Sequence, residues 1–317
     1  MKPLIHIKFK IIFIIFCIFY PGSAVATINV VTTTQDIASI VKEVVGDLVN
    51  IKAIVRGYQD PHVIEAKPSF MLKVNRADLL VYQGLELEVG WLPMLIQGGR
   101  NKKVMPGQLG HLDISQAISP LAVPVGELDR SMGDVHPQGN PHYHLNPENG
   151  LLMAGIISDR LIRLDPENAD AYEVNLKDFR RRLEEKIRAW KTRMQKFQGL
   201  KVITYHATWN YLLDFLSIES IGTIENRPGI PPSGKHLSEL AKVMQQENAR
   251  VILQANFFEK KYSDLLVGKT QGEVAVLPAY VGGVPEASDY FKLFDVLINR
   301  LGQAFEKNNS GLNKDSP

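Results

Sequence analysis

Cysteine is all but absent: the 317-residue chain has one, Cys17. It sits in the N-terminal stretch "MKPLIHIKFKIIFIIFCIFYPGSAVA", which reads as a signal peptide of residues 1–26. Lys2, Lys8 and Lys10 give the basic start, Ile11 to Tyr20 the apolar run, and Ala24-Val25-Ala26 the small-x-small cleavage site. The run is too short for a comfortable membrane span. Phe16, directly before Cys17, is not the small residue that lipid attachment needs, so no lipobox is read and a periplasmic location is expected. Cleavage after Ala26 leaves a mature chain with no cysteine. That excludes disulfides and thiolate ligands, so any metal must be held by imidazole, carboxylate or water. Stability must then come from a hydrophobic core.

Excess charge of either sign is missing as well. The formal net charge is +2, and charged residues make up 22% of the chain. The leader carries three lysines and no acid, so its loss leaves 33 basic side chains against 34 acidic ones. No Lys/Arg cluster marks a nucleic-acid surface, and no nucleic-acid partner is expected. No His-Glu-x-x-His pattern of a zinc protease occurs either.

What is present is an alternation of strand-like and helix-like segments. "INVVTTT" (28–34), "VNIKAIV" (49–55) and "DLLVYQG" (78–84) read as strands, with helical spacing between them and "KVM" (103–105) as a short fourth strand. The second half repeats the scheme with "KVITYH" (201–206), "ESIGTI" (219–224), "ARVILQA" (249–255) and "EVAVLPA" (273–279). Such β-α repetition predicts parallel sheets with helices on their faces. Between the halves, Tyr172, Leu176, Phe179, Leu183, Ile187, Trp190, Met194 and Phe197 recur at steps of three and four, from Asp165-Pro166 to Gly199. About 32 residues at ~1.5 Å each give a helix of roughly 48 Å, longer than one small domain needs. The fold class expected is α/β: two lobes, each a parallel sheet flanked by helices, joined by one long α-helix. The divisions are 27–165 for the N-terminal lobe, 166–198 for the linking helix and 199–317 for the C-terminal lobe. Only one segment has this pattern, so it is read as a brace within one copy rather than a coiled-coil seam, and a monomer is expected.

Histidine carries the chemistry. "DPHVIEAKPS" (60–69) follows the second strand and holds His62 behind an Asp-Pro turn. "NPHYHLNP" (140–147) repeats the device at His142, and "VITYHATWNY" puts His206 at the carboxyl end of the first strand of the second half. Ligands of open α/β sheets bind beyond the carboxyl ends of the strands. If the halves face each other, three imidazoles converge in the cleft. Three nitrogens plus a fourth donor suit Zn²⁺, whereas Mn²⁺ prefers harder oxygen donors.

On these residues, together with "ADLLVYQGLELEVGW" (77–91) and "PPSGKHLSEL" (231–240), the chain resembles the zinc/manganese-binding receptors of bacterial ABC importers. This is the ZnuA/TroA-like group of cluster 9 solute-binding proteins. The resemblance implies two α/β lobes joined by a single helix, ligand histidines at His62, His142 and His206, a divalent metal ion as cargo and a membrane permease as partner. His144 falls where that family has an aromatic residue, which implies packing or a supporting hydrogen bond. The family's frequent fourth ligand, an aspartate near the end, corresponds to Ala279 here, and another common acid position is occupied by Ala255. Water, His136, Glu225 and Glu259 remain for the fourth position. The stretch "LDRSMGDVHPQGN" before His142 is short for a metal-scavenging loop.

The function expected is therefore capture of a divalent transition metal, Zn²⁺ ahead of Mn²⁺, for delivery to an importer permease, with no enzymatic activity. The alternative is a zinc-dependent hydrolase with a three-histidine site. It needs a general base, and Glu65, three residues from His62, is the nearest candidate.

Overall fold

The structure, a computed structural model, describes residues 27–126 and 135–312. The expected signal peptide, residues 127–134 of the loop before His142, and the last five residues lie outside the described residues.

The first sheet contains β1 (Asn29–Thr32), β2 (Asn50–Ala53), β3 (Leu79–Tyr82) and β4 (His111–Asp113), in the order β2-β1-β3-β4. The second contains β5 (Lys201–Thr204), β6 (Glu219–Thr223), β7 (Val251–Ala255) and β8 (Glu273–Leu277), in the matching order β6-β5-β7-β8. Every strand pair is parallel. The intervening helices are α1 (Gln35–Val45), α2 (Pro68–Asn75) and α3 (Leu92–Gly99) in the first lobe, then α4 (Pro147–Leu164). After the linking helix α5 (Ala169–Met194) come α6 (Asn210–Leu216), α7 (Gly234–Gln246), α8 (Lys261–Thr270) and α9 (Tyr290–Leu312).

Local chemistry sets the helix starts. Thr34 accepts a hydrogen bond from the Ile37 N–H at the start of α1, and Asn146 accepts from the Glu148 N–H ahead of Pro147 at the start of α4. Both are side-chain caps, which satisfy amides that a helix leaves without partners. The fourth strand differs from expectation. Lys102–Val104 form a single 3-10 turn, and His111–Asp113 pair with β3 instead. Asn101 explains this: its side chain accepts from the Lys103 N–H and donates to the carbonyls of Val74 and Ala77, so the chain is bent before "KVM" can extend.

α5 is the brace that the apolar spacing predicts. Its 26 residues are extended by one 3-10 turn at each end, Pro166–Asn168 and Gln195–Phe197. Tyr172, Phe179, Leu183, Ile187, Trp190 and Met194 are buried, while the opposite face carries exposed ion pairs such as Arg181 with Glu185. Those exposed pairs contribute little. The cross-links to the lobes matter more. Arg182 reaches Glu43 on α1, while Lys186 and the Trp190 indole reach Asp295 on α9. One continuous apolar cluster runs from Val30 and Ile37 through Phe179 and Trp190 to Leu253 and Phe294, and smaller clusters lie on the outer face of each sheet. The lobes thus share a core.

They also meet at the backbone. Asp36 of α1 accepts from the Val281 N–H, and a Cβ on Gly57 would lie 2.0 Å from the Val281 carbonyl oxygen. Only glycine permits that approach.

Candidate metal centre

The loops at the carboxyl ends of the two sheets carry the three histidines toward one another. Asp60 caps the turn Pro61–Val63: one carboxylate oxygen accepts from the His62 backbone N–H at 3.0 Å. Asn140 does the same for the His142 N–H at 2.9 Å. Both Asx-Pro-His stretches are therefore built alike, an Asx turn with proline inside it, which fixes where the imidazole starts. Trp91, fully buried, donates from its indole to the Pro61 carbonyl at 2.7 Å and pins the first loop from beneath. His206 follows β5 by two residues.

The geometry is a cluster. One ring nitrogen from each of His62, His142 and His206 lies within 4.8 Å of the others. Ring centroids are 5.3, 5.6 and 5.7 Å apart. Nitrogens bound tetrahedrally at about 2.0–2.1 Å stand ~3.3–3.4 Å from one another, so the trio has to contract by no more than about 1.5 Å around a zinc-sized ion.

Each ring is held by its Nδ1. That of His62 donates to the Asp60 carboxylate at 2.7 Å and that of His206 to the Glu225 carboxylate at 3.1 Å, while that of His142 is hydrogen-bonded to the Tyr280 hydroxyl at 3.2 Å. With Nδ1–H donating to a carboxylate, the lone pairs of His62 and His206 are on Nε2. The Nε2 of His142 is buried and has no hydrogen-bond partner among the described residues. A buried imidazole nitrogen without a partner is costly in a protein interior, and a cation at the cluster would satisfy it.

Burial and its neighbours favour a neutral His142 ring. Burial, followed by the neighbouring imidazoles His62, His206, His144 and His136, holds His142 well below its ordinary value. Burial pushes Asp60 upward, but the hydrogen bonds and charge of His62 outweigh it and keep the carboxyl below the usual carboxylate range.

The other sequence candidates fall out differently. His144 is fully buried; burial pushes it down to about 4, opposed by its hydrogen bond to the Ala279 carbonyl. It stacks on Tyr280 with centroids 4.7 Å apart, and so steadies the tyrosine that holds His142. Glu225 turns an oxygen to His206 Nδ1, whereas Glu259 is exposed. His136 approaches the cluster, with Nε2 at 3.3 Å from His62 Nε2. Ala279 and Ala255 are buried and bring no donor side chain. Glu65 is 81% exposed on its side chain and faces Lys67. His111 lies on β4 between the Tyr82 hydroxyl and the Val104 carbonyl, and His236 is half-buried, bonded to the Thr223 carbonyl. Sequence reasoning missed Tyr280 as a partner of His142. It took Asp60 as a turn former alone and Glu225 as one of several candidates for the fourth position; the signal available was the acid two residues before His62.

Two parallel-sheet lobes that share one helix, with the cleft at their facing strand ends, define the class of substrate-binding proteins. The chain belongs to the ZnuA family, "Zinc-uptake complex component A periplasmic", whose family model matches residues 30–304. That is a family of substrate-binding receptors of ABC importers, not of enzymes.

Among curated relatives, the chain is 34% identical over 160 residues to the manganese ABC transporter substrate-binding lipoprotein scaA of Streptococcus gordonii, covering 50% of this chain and 48% of that one. It is 24% identical over 254 residues to the zinc-binding lipoprotein AdcA of Streptococcus pneumoniae, covering 78% and 48%. The matches thus span about half the length of these two relatives. Among solved structures, a ZnuA crystal structure superposes with a TM-score of 0.73 at 23% identity, covering 88% of this chain and 99% of that one. The Mn-bound periplasmic metal binding protein of candidatus liberibacter asiaticus gives 0.73 at 20%, covering 87% and 99%. At these identities the likeness is one of fold. No helix among the described residues is long and apolar enough to cross a membrane.

Proposed function

We propose that this chain captures one divalent transition metal ion, Zn²⁺, between its lobes, with His62, His142 and His206 as ligands, and delivers it to the permease of an ABC importer. The observation that carries the reading is the cluster itself: three imidazole nitrogens within 4.8 Å, from loops of both lobes. The Nδ1 bonds to Asp60, Tyr280 and Glu225 add support, because they fix ring orientation and leave nitrogen lone pairs for a cation. Relatives named for manganese and for zinc leave the choice between metals to donor chemistry. An all-nitrogen set favours zinc. The receptor acts as a monomer in the periplasm after cleavage at Ala26, and nucleic acid is no partner.

The test is a competition titration of chelator-stripped residues 27–317 with Zn²⁺ and Mn²⁺, followed by melting temperature. One equivalent of Zn²⁺ is expected to bind in preference to Mn²⁺ and to raise the melting temperature, since binding to the folded state alone stabilises it by RT ln(1 + [L]/Kd). Absence of a bound equivalent, or preference for Mn²⁺, overturns the zinc reading.

The supporting carboxylate gives a second expectation. Glu225→Gln keeps the shape of the side chain but weakens the partner of His206 Nδ1. Zinc affinity should fall roughly 10- to 100-fold with stoichiometry unchanged, as measured by chelator competition. An unaltered affinity would show that Glu225 does not tune the ring.

A further inference from the structure

We infer that His136 is the fourth metal ligand and the residue that sets the preference for zinc over manganese. The inference rests on the receptor reading above and goes beyond its three ligands.

The first observation is distance. The Nε2 atoms of His136 and His62 are 3.3 Å apart, with ring centroids at 5.3 Å. Two nitrogens bound to one tetrahedral zinc at about 2.0–2.1 Å are separated by ~3.3–3.4 Å, so this pair already stands at the spacing of one tetrahedral edge. The second observation is placement. His136, His142 and His206 all line a cavity of about 110 Å³, together with residues such as Asn140 and Pro228. His136 thus faces the same small space as two members of the cluster.

Its backbone is tied down. The Gly139 N–H donates to the His136 carbonyl, and the next residue, Asn140, donates to the Leu121 carbonyl while its side chain holds both the His142 N–H and the Ala207 carbonyl. His136 and His142 therefore hang from one anchored turn.

The third observation is that each neighbouring carboxylate either holds a ring nitrogen of the trio or is exposed. Asp60 holds His62, Tyr280 holds His142, and one oxygen of Glu225 accepts from His206 Nδ1 and the Gly229 N–H. Glu259 is exposed, and Ala279 and Ala255 carry no donor side chain.

A fourth imidazole has a chemical consequence. Four neutral nitrogens in a tetrahedron suit Zn²⁺. They provide neither the oxygen donors nor the six-coordinate shell that favour Mn²⁺.

The experiment uses X-ray absorption on the zinc-loaded mature protein, with chelator-competition titrations of Zn²⁺ and Mn²⁺ on the wild type, His136→Ala and His136→Asp. The wild type should show four imidazole nitrogens around zinc, and His136→Ala three with one light oxygen neighbour. Zinc affinity should drop on the order of 100-fold in His136→Ala. The zinc-over-manganese ratio should narrow at least about tenfold in His136→Asp, which supplies oxygen instead of nitrogen. His136 is partly exposed, so both variants should fold, as circular dichroism will report. A wild-type spectrum of three imidazoles plus oxygen, or a His136→Ala variant with wild-type zinc affinity, overturns the assignment and leaves the three-histidine receptor standing. A wild-type chain that takes up no zinc overturns both.

Discussion

His142→Ala should abolish tight zinc binding, lowering affinity on the order of 10³-fold or more, equivalent to about 4 kcal/mol. His142 is the most buried member of the trio, and its Nε2 has no hydrogen-bond partner among the described residues. Removing it deletes a donor from the centre of the cluster, where water replaces it poorly. The metal-free protein should respond quite differently. Loss of an imidazole leaves a cavity, but it also removes a buried nitrogen with no partner, and the two effects oppose each other. Unfolding of the stripped variant should therefore stay within about 1 kcal/mol of the wild type, while the zinc-induced rise in melting temperature disappears. Denaturant titrations with and without zinc separate the two. A variant that keeps the wild-type zinc shift would remove His142 from the ligand set.

Asp36→Asn should flatten the pH dependence of stability in the metal-free chain. Burial pushes the Asp36 carboxyl up to about 7, against the opposing pull of the Val281 N–H. One carboxylate oxygen has no partner among the described residues. The folded state thus holds a proton that the unfolded chain releases near its ordinary value of 3.8. Stability from this proton is complete below that value and is lost as pH rises through about 7. Between pH 5 and pH 8 the loss should be roughly 3 kcal/mol. Asparagine keeps an acceptor for Val281 and cannot ionise, so the difference between the two pH values should shrink by that amount. Glu88, also buried and raised to about 7, leaves a residual slope in both proteins. Comparing each protein with itself at two pH values cancels whatever the new amide costs. Equal slopes for variant and wild type would mean that Asp36 stays ionised in the fold.

Much of this was legible in the chain. Periodicity exposed the brace because its buried positions, Tyr172 through Met194, face one side at steps of three and four. Strand placement and Asx-Pro turns exposed the three histidines, since both depend on residues adjacent in sequence. α4 was not legible: Asn149-Gly150 looks like a turn. Gly150 is instead a packing glycine, where a Cβ would lie 2.6 Å from the Tyr290 ring, and that ring is 140 positions away in the chain. Tyr280 as the partner of His142 escaped for the same reason. The bond joins residues 138 positions apart, and no local pattern encodes which strand end faces which. Asp60 was visible but underread, because one carboxylate oxygen serves both the turn and the imidazole.

The shared helix also bears on how cargo enters and leaves. α5 is bonded to α1 on one side and α9 on the other, so the lobes have little slack in which to swing. The nitrogens consequently wait near their final spacing, and little binding free energy is diverted into moving large masses. On the proposed receptor function, loading and unloading would then fall to short surface segments around the mouth. A partner that extracts the ion needs only to tug on those segments, leaving the frame behind them still.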